Sequence, residues 1–271
     1  MAQQPSDAVV TSLHNPAIKR ARSLLRRKGR VEERAFLVEG VRAVTDALET
    51  GTRPELIFLR DDEDGWRLHD AWSEQFHLRF ASESVIASLS DVPHPQSVVA
   101  IFGMDDLDAE PRYDVWQQDL ILVADGVRDP GNMGTLIRSA VGAGVTECIV
   151  SPESVDPFNP KCVRSAMGAH FQISLRQLSS DEIVRRLEPV ELVALADANA
   201  EQDYDEVDWT VSTALIVGNE AFGVNQSLRS VANAYVRIPL ARGLESFNVG
   251  VAGSHLVLEA ARQRRSGKAH Q

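Results

Sequence analysis

From Leu120 to Arg138 the chain passes from an unbroken apolar run, Leu-Ile-Leu-Val-Ala, through a loop rich in Asp, Gly and Pro, into residues with helical spacing. Five apolar residues are too few for an ordinary helix, and without alternation they mark a strand buried on both faces. Beyond the loop, Leu136, Ile137, Ala140 and Val141 recur at helical intervals, with Asn132 expected as the N-cap and Gly144 as the C-terminal stop. Glu147–Ser151 reads as the next strand. A crossover of this kind makes its two strands parallel and leaves the first loop at a strand's carboxyl end, where open parallel sheets bind ligands.

The alternation continues downstream. A helix is expected from Asn159 to about Ala169, a strand over Phe171–Leu175, a helix near 180–188, and strands over Glu191–Ala196, Thr213–Val217 and Tyr235–Ile238. Ser246 or Asn248 caps a long last helix that turns Val249, Ala252, Leu256 and Ala260 inward. Strands separated by helices predict an α/β fold with a parallel sheet covered on both faces.

The first hundred residues read as a separate, smaller α/β domain. Asn15 and Pro16 start a helix over 15–28 that places Ile18, Ala21, Leu24 and Leu25 on one face. A second helix is expected over 36–50, with Val41, Val44, Ala47 and Leu48 sharing a face and Gly51 ending it. Strands follow at Leu56–Leu59 and Val98–Phe102, with helical segments near 66–75 and 82–89 between them. The acidic, proline-containing stretch 105–119 is the expected linker, which divides the chain into domains 1–107 and 108–271.

A net charge of −11 argues at first against a polyanionic partner, because phosphates are neutralised by Lys and Arg. The distribution of charge argues the other way. Residues 1–34 hold eight basic side chains (Lys19, Arg20, Arg22, Arg26, Arg27, Lys28, Arg30, Arg34) against three acids (Asp7, Glu32, Glu33), so a basic arm leads an acidic body. The N-terminus is polar, and no run approaches the roughly 18 apolar residues of a membrane span. Cys148 and Cys162 lack metal-ligand spacing, and the histidines, among them His14, His69, His77, His94, His170 and His255, are scattered. The expectation is a cytoplasmic protein with reduced thiols, no metal and no membrane contact.

Three loops share one character, each following a buried strand and mixing glycine with polar groups: Asp129–Gly134, Gly218–Gly223 and Ile238–Asn248. Glycines there permit close approach of backbone to a ligand, and exposed amides and carbonyls can read a flat heterocycle. Neither Gly-x-Gly-x-x-Gly after a strand nor Gly-x-x-x-x-Gly-Lys occurs, although Glu153 lies near the spacing of a ribose-binding acid and keeps an ordinary dinucleotide fold as a minor alternative.

The combination Asp-Pro-Gly-Asn-Met-Gly-x-x-x-Arg-Ser-Ala (129–140), Val-Gly-Asn-Glu-x-x-Gly (217–223) and Ile-Pro-x-x-x-x-x-x-Ser-Phe-Asn-Val-x-x-Ala (238–252) closely resembles the three motifs of the SpoU/TrmH branch of SPOUT RNA 2′-O-ribose methyltransferases. The first hundred residues resemble the family's accessory RNA-binding domain, related in fold to ribosomal protein L30e, through Asn15-Pro16, Phe36-Leu-Val-Glu-Gly40 and Pro95-Gln96. The resemblance implies a SPOUT domain with a C-terminal trefoil knot, a topology that general rules of chain connection disfavour. It further implies a homodimer and S-adenosylmethionine as cofactor, held by Leu195, Ala196, Val217, Gly218, Ile238, Leu240 and Phe247. Phe247 stands where leucine is common.

The same resemblance assigns the catalytic group to Asn132, Arg138, Glu220, Ser246 and Asn248. Arg138 is similar to an arginine proposed as a base in this family, yet a guanidinium with a pKa above about 12 scarcely deprotonates. Arg138 is therefore read as a bidentate clamp on the target phosphate. Asn132 would orient the ribose or hold Arg138, Glu220 would steady Arg138 or a backbone amide, and Ser246 and Asn248 would line the crevice. Lys19, Arg22, Arg26, Arg27, Lys28 and Arg30 are the expected RNA contacts, with large-subunit (23S) ribosomal RNA favoured over tRNA as the substrate. A non-catalytic RNA-binding protein on the same fold is the remaining alternative.

Overall fold

A computed structural model describes residues 9–107, 116, 118–219, 222–241 and 245–268. Two compact units emerge, Met1–Leu107 with Phe158–Phe171, and Asp108–Pro157 with Gln172–Gln271. In the first, helices α1 (Pro16–Ser23) and α2 (Arg27–Glu33) precede strand β1 (Ala35–Glu39). Helix α3 (Val41–Glu49), β2 (Leu56–Arg60), α4 (Glu63–Trp72), β3 (Leu78–Ala81), α5 (Glu83–Ser88) and β4 (Val98–Gly103) follow. The sheet runs β1-β4-β2-β3, with β4 antiparallel to both neighbours and β2 parallel to β3. Ile18 and Ala21 of α1, with Leu24 at its C-cap, close one core over its face against Leu37, Phe58, Val99 and Ile101.

Two expectations for this unit need correction. The helix over 15–28 is two helices: Asn15 caps the first as expected, its side chain accepting from the Ala17 amide, but Arg26 is extended and breaks the run. The helix over 36–50 begins instead as strand β1. Ala35, Phe36, Leu37 and Val38 are all buried, as a strand covered on both faces requires, and Gly40, at φ +107°, turns the chain into α3. Strand β3, whose Leu78 and Arg79 are only half-buried, gives no such apolar run and is an addition to the expected elements.

The second unit carries β5 (Leu120–Ala124), α6 (Pro130–Ala143) and β6 (Glu147–Val150) as read from the sequence. After α7 (Pro160–Ala166), which belongs to the first unit, come β7 (Ser174–Gln177), α8 (Ser180–Leu187), β8 (Leu192–Ala196), β9 (Gln202–Asp203), β10 (Thr213–Val217), α9 (Gln226–Val231), β11 (Ala234–Arg237) and α10 (Val249–Lys268). Seven strands pair in the order β7-β6-β5-β10-β8-β11-β9, every pair parallel. The central strands β5 and β10 are buried at every position, which explains their unbroken apolar sequences. Helix α10 lies along α6, where the Ser254 hydroxyl donates to that of Ser139 (2.7 Å).

Helix α7 stops at Ala166, short of Ala169, because Met167 adopts the left-handed conformation, and β7 begins three residues later than expected. The segment Phe158–Phe171 joins the core of the first unit through aromatic rings. Phe158 and Phe171 lie 5.0 and 5.9 Å from Phe36, and Phe171 lies 4.7 Å from Phe102. Both cysteines are buried, and burial pushes the Cys148 thiol up to about 12, so it is an inert core side chain.

Candidate functional site

Because β5, β10, β8 and β11 are neighbours and parallel, their carboxyl ends lie along one edge of the sheet. There a crevice of about 500 Å³ opens between the end of β8 and the chain after it (Ala196–Asn199), described residues around the loop after β10 (Val217, Gly218, Asn219, Phe222, Gly223 and Val224) and residues from the end of β11 to the start of α10 (Val236, Ile238, Leu240, Ser246, Phe247 and Val249). Apolar side chains of Val217, Ile238, Leu240 and Phe247 form much of its wall, and Asp197, Asn199 and Ser246 give it a polar side. The volume falls within the range of small-molecule sites.

The loop after β10 is shaped for close approach. Asn219 and Gly223 exchange backbone hydrogen bonds (3.2 and 2.9 Å) and close a tight turn. At Gly218 a Cβ would collide with Val224 Cγ2 and lie 2.9 Å from the Gly223 carbonyl, so no larger residue fits without opening the turn. The Asn219 side-chain amide donates to the Gly126 carbonyl (2.9 Å), fastening this loop to the one after β5. Asp197 pairs with Arg229 of α9 at 2.9 Å. Burial alone would raise the Asp197 carboxyl, but the Asn199 amide and the Arg229 guanidinium outweigh it and hold the group below its ordinary value.

The loop after β5 does not wall the crevice. It begins α6, and its N-cap is Asp129 rather than Asn132: the Asp129 carboxylate accepts from the Asn132 amide (2.9 Å), with Pro130 at the first helical position. The Asn132 side chain turns instead to the last helix, where Asn248 Nδ2 donates to its Oδ1 at 3.0 Å. Asn248 also caps α10, its Oδ1 accepting from the Val251 amide (3.3 Å). The starts of α6 and α10 are thus joined beside the crevice.

Of the residues expected to hold a cofactor, Ala196, Val217, Gly218, Ile238, Leu240 and Phe247 line this one crevice. Leu195 does not; it is buried within β8, one residue before the wall begins. Among the expected catalytic residues, Ser246 lines the crevice, Asn132 and Asn248 meet at its side, and Arg138 is exposed farther along α6. Glu220 lies outside the described residues. Sequence reading misses Asp197, Asn199 and Arg229, which follow β8 or sit on α9, a short helix with few periodic apolar positions.

Among known proteins, the SpoU rRNA Methylase family matches residues 119–257, and the MRM3-like substrate binding domain matches residues 15–100. The chain belongs to the SpoU rRNA methylase family. Its SpoU relatives include the 23S rRNA (guanosine(2553)-2′-O)-methyltransferase RlmP of Bacillus subtilis, 31% identical over 92% of this chain and 97% of the relative. Another is the 23S rRNA (uridine(2479)-2′-O)-methyltransferase of Streptomyces viridochromogenes, 32% identical over 89% and 88%. Among solved structures, the AdoMet-bound rRNA methyltransferase from Sinorhizobium meliloti is 30% identical, with a TM-score of 0.79 over 95% of this chain and 98% of that one.

In the substrate-binding part of this SpoU protein, Lys19, Arg22, Arg26, Arg27 and Lys28 are exposed, spread over α1 and the start of α2. Arg30 is the exception to the expected RNA contacts. It is 2% exposed, and its guanidinium donates to the Leu24 carbonyl at 2.7 Å, so it secures the junction of α1 and α2 and cannot face a phosphate. Arg20 is engaged with Glu33 and Glu55. Among the described residues no cluster of three His, Cys, Asp or Glu could hold a metal ion, and no helix is long and apolar enough to cross a membrane.

Proposed function

We propose that the protein transfers a methyl group from S-adenosylmethionine to the 2′-oxygen of a ribose in RNA, with 23S ribosomal RNA as the substrate. The observation that carries this reading is the Asn248–Asn132 hydrogen bond, which sets two amide side chains from distant parts of the sequence at the side of the crevice. Relatives that match nearly end to end and are named for 2′-O-methylation of 23S rRNA support it.

The crevice fits the donor. A flat heterocycle suits the walls of Val217, Ile238, Leu240 and Phe247, the missing Cβ at Gly218 lets backbone approach it, and Asp197 and Asn199 offer partners for a charged end. When bound, the donor supplies an electrophilic methyl on a sulfonium sulfur. The chain's own part is to bring the ribose oxygen into line, and positioning of that kind can supply several kcal/mol of rate acceleration. Asn132 and Ser246 orient the ribose. Arg138 clamps the phosphate and stabilises the alkoxide charge that builds on the ribose oxygen as its proton passes to phosphate or water, charge that would be consumed as this oxygen takes the methyl and the sulfur leaves as a neutral thioether. Glu220 steadies this group.

Residues 1–107 engage the RNA through the exposed cations of α1 and α2, and residues 108–271 carry the chemistry. The C-terminal segment forms a trefoil knot and the working form is a cytoplasmic homodimer. The dimer is supported by Val251 and Leu258, both exposed on α10 and 52% and 48% accessible, on the side of the helix that carries His255 against Tyr204. The test is incubation with radiolabelled S-adenosylmethionine and, separately, ribosomal subunits, naked 23S rRNA or tRNA, followed by nucleoside mapping. A 2′-O-methylated nucleoside in 23S rRNA is expected. Label confined to tRNA moves the substrate, and label in none of them overturns the reading.

A further inference from the structure

Phe222 is the most exposed large apolar side chain among the described residues, 77% accessible, although it lines the crevice that holds the proposed chemistry. An aromatic ring exposed at the mouth of a ligand site offers its face to a flat partner. One group already lies against it: the Arg128 guanidinium carbon sits 5.2 Å from the ring centroid, in cation–π range. The two side chains come from different loops, Arg128 from the one after β5 and Phe222 from the one after β10.

The pairing is built in. Asn219 donates from its side-chain nitrogen to the Gly126 carbonyl at 2.9 Å and accepts from the Phe222 amide at 3.1 Å, so a single side chain fixes the spacing of the two loops and the position of Phe222. An exposed ring beside a guanidinium is the arrangement by which proteins grip unpaired bases: every base has a π-face to stack, and the cation serves the adjoining phosphate. A donor buried inside the crevice gains little from a ring so exposed at its rim, whereas an RNA strand crossing the mouth meets both groups.

We propose that Arg128 and Phe222 form a stacking platform at the rim of the crevice that takes an unpaired base of the RNA substrate and so fixes which nucleotide enters the site. This rests on the methyltransferase reading. Phe222 stacks on the base, and Arg128 serves the ring and the neighbouring phosphate.

The test compares wild type with Phe222→Ala, Phe222→Trp and Arg128→Ala, using unmodified 23S rRNA transcript and S-adenosylmethionine. Affinity for the donor is measured by calorimetry, and kcat and KM for the transcript by methyl incorporation. Loss of one base–aromatic stack corresponds to about tenfold or more in affinity. Phe222→Ala is expected to raise KM for the transcript about tenfold with donor affinity unchanged, Phe222→Trp to restore it, and Arg128→Ala to weaken binding with a shallower salt dependence. Phe222→Ala that weakens the donor instead makes the ring a cover for the cofactor and overturns the proposal. So does Phe222→Ala that is indistinguishable from wild type, or that changes only the oligomeric state. A wild-type protein that binds neither donor nor transcript overturns the underlying reading, and the platform with it.

Discussion

Asn248 and Asn132, 116 residues apart in sequence, share a hydrogen bond of 3.0 Å between their side chains, and each belongs to the first turn or cap of a helix. Asn248 does two things at once, accepting from the Val251 amide and donating to Asn132, whereas Asn132 is relieved of capping by Asp129. Asn132→Ala therefore removes a group that the fold does not need as a cap. Methyl transfer is expected to fall by roughly a hundredfold or more, the size of effect seen when a group that positions or stabilises the reacting atoms is removed, while donor affinity measured by calorimetry stays within about twofold. Arg138→Ala is expected to behave alike. Equal loss of donor binding and transfer would make either residue structural.

Gly218 tests the loop geometry. A Cβ there collides with Val224 and presses on the Gly223 carbonyl, so Gly218→Ala must open the turn that walls the crevice. Donor affinity is expected to drop by about tenfold or more, the cost of a wall displaced from a bound ligand. The melting temperature should fall only slightly, because β10 itself ends at Val217.

Arg264 holds the last helix down. Its guanidinium donates to the carbonyls of Trp209 (2.9 Å), Gln118 (2.6 Å), Asp119 (2.9 Å) and Val211 (2.6 Å), and the side chain is almost wholly buried. Removing it leaves several buried acceptors unsatisfied at once, so Arg264→Ala is expected to cost about 3 kcal/mol or more in chemical denaturation. Arg264→Lys should recover only part of this, since one ammonium cannot span the fork.

Within the basic arm, exposure separates two kinds of arginine. Arg26→Ala and Arg27→Ala should weaken RNA binding and reduce its salt slope by about one for each phosphate the side chain neutralises, with stability unchanged. Arg30→Ala should do the reverse, lowering the melting temperature, because its hydrogen bond to Leu24 lies inside the fold.

The Asp197 carboxyl is held below its ordinary value in the folded chain. A depressed carboxyl adds stability that is complete above the unfolded pKa of about 3.9 and is lost as pH falls through the lower folded value. Asp197→Asn should therefore reduce stability at neutral pH and flatten the acid limb of the stability profile in denaturation series.

Much of the larger unit is legible in the sequence because its central strands are buried on both faces. Leu120–Ala124 and Thr213–Val217 have unbroken apolar runs that only a covered parallel strand explains. Phe36–Val38 carries the same signal but lies directly before the periodic residues of α3, so the strand merges in the pattern with a longer helix. Asn132 reads as a cap because Asp129, Asn132 and Pro130 all carry capping chemistry, and only the folded geometry decides which oxygen meets which amide. The crevice residues of the second and third motifs announce themselves through their glycines and polar groups. Asp197 and Arg229 do not, since an ion pair between a loop and a short helix leaves no periodic trace. Nor does sequence reveal that Arg30 is buried while Arg26 to Lys28 are exposed.

A methyltransferase of this kind requires the chain beyond β8, β10 and β11 to form a single pocket for the methyl donor. Isothermal titration of the purified protein with S-adenosylmethionine tests this most directly. One heat-releasing site per chain, abolished or strongly weakened in Gly218→Ala, is the predicted result; a folded wild-type protein that gives no heat with this ligand would contradict it.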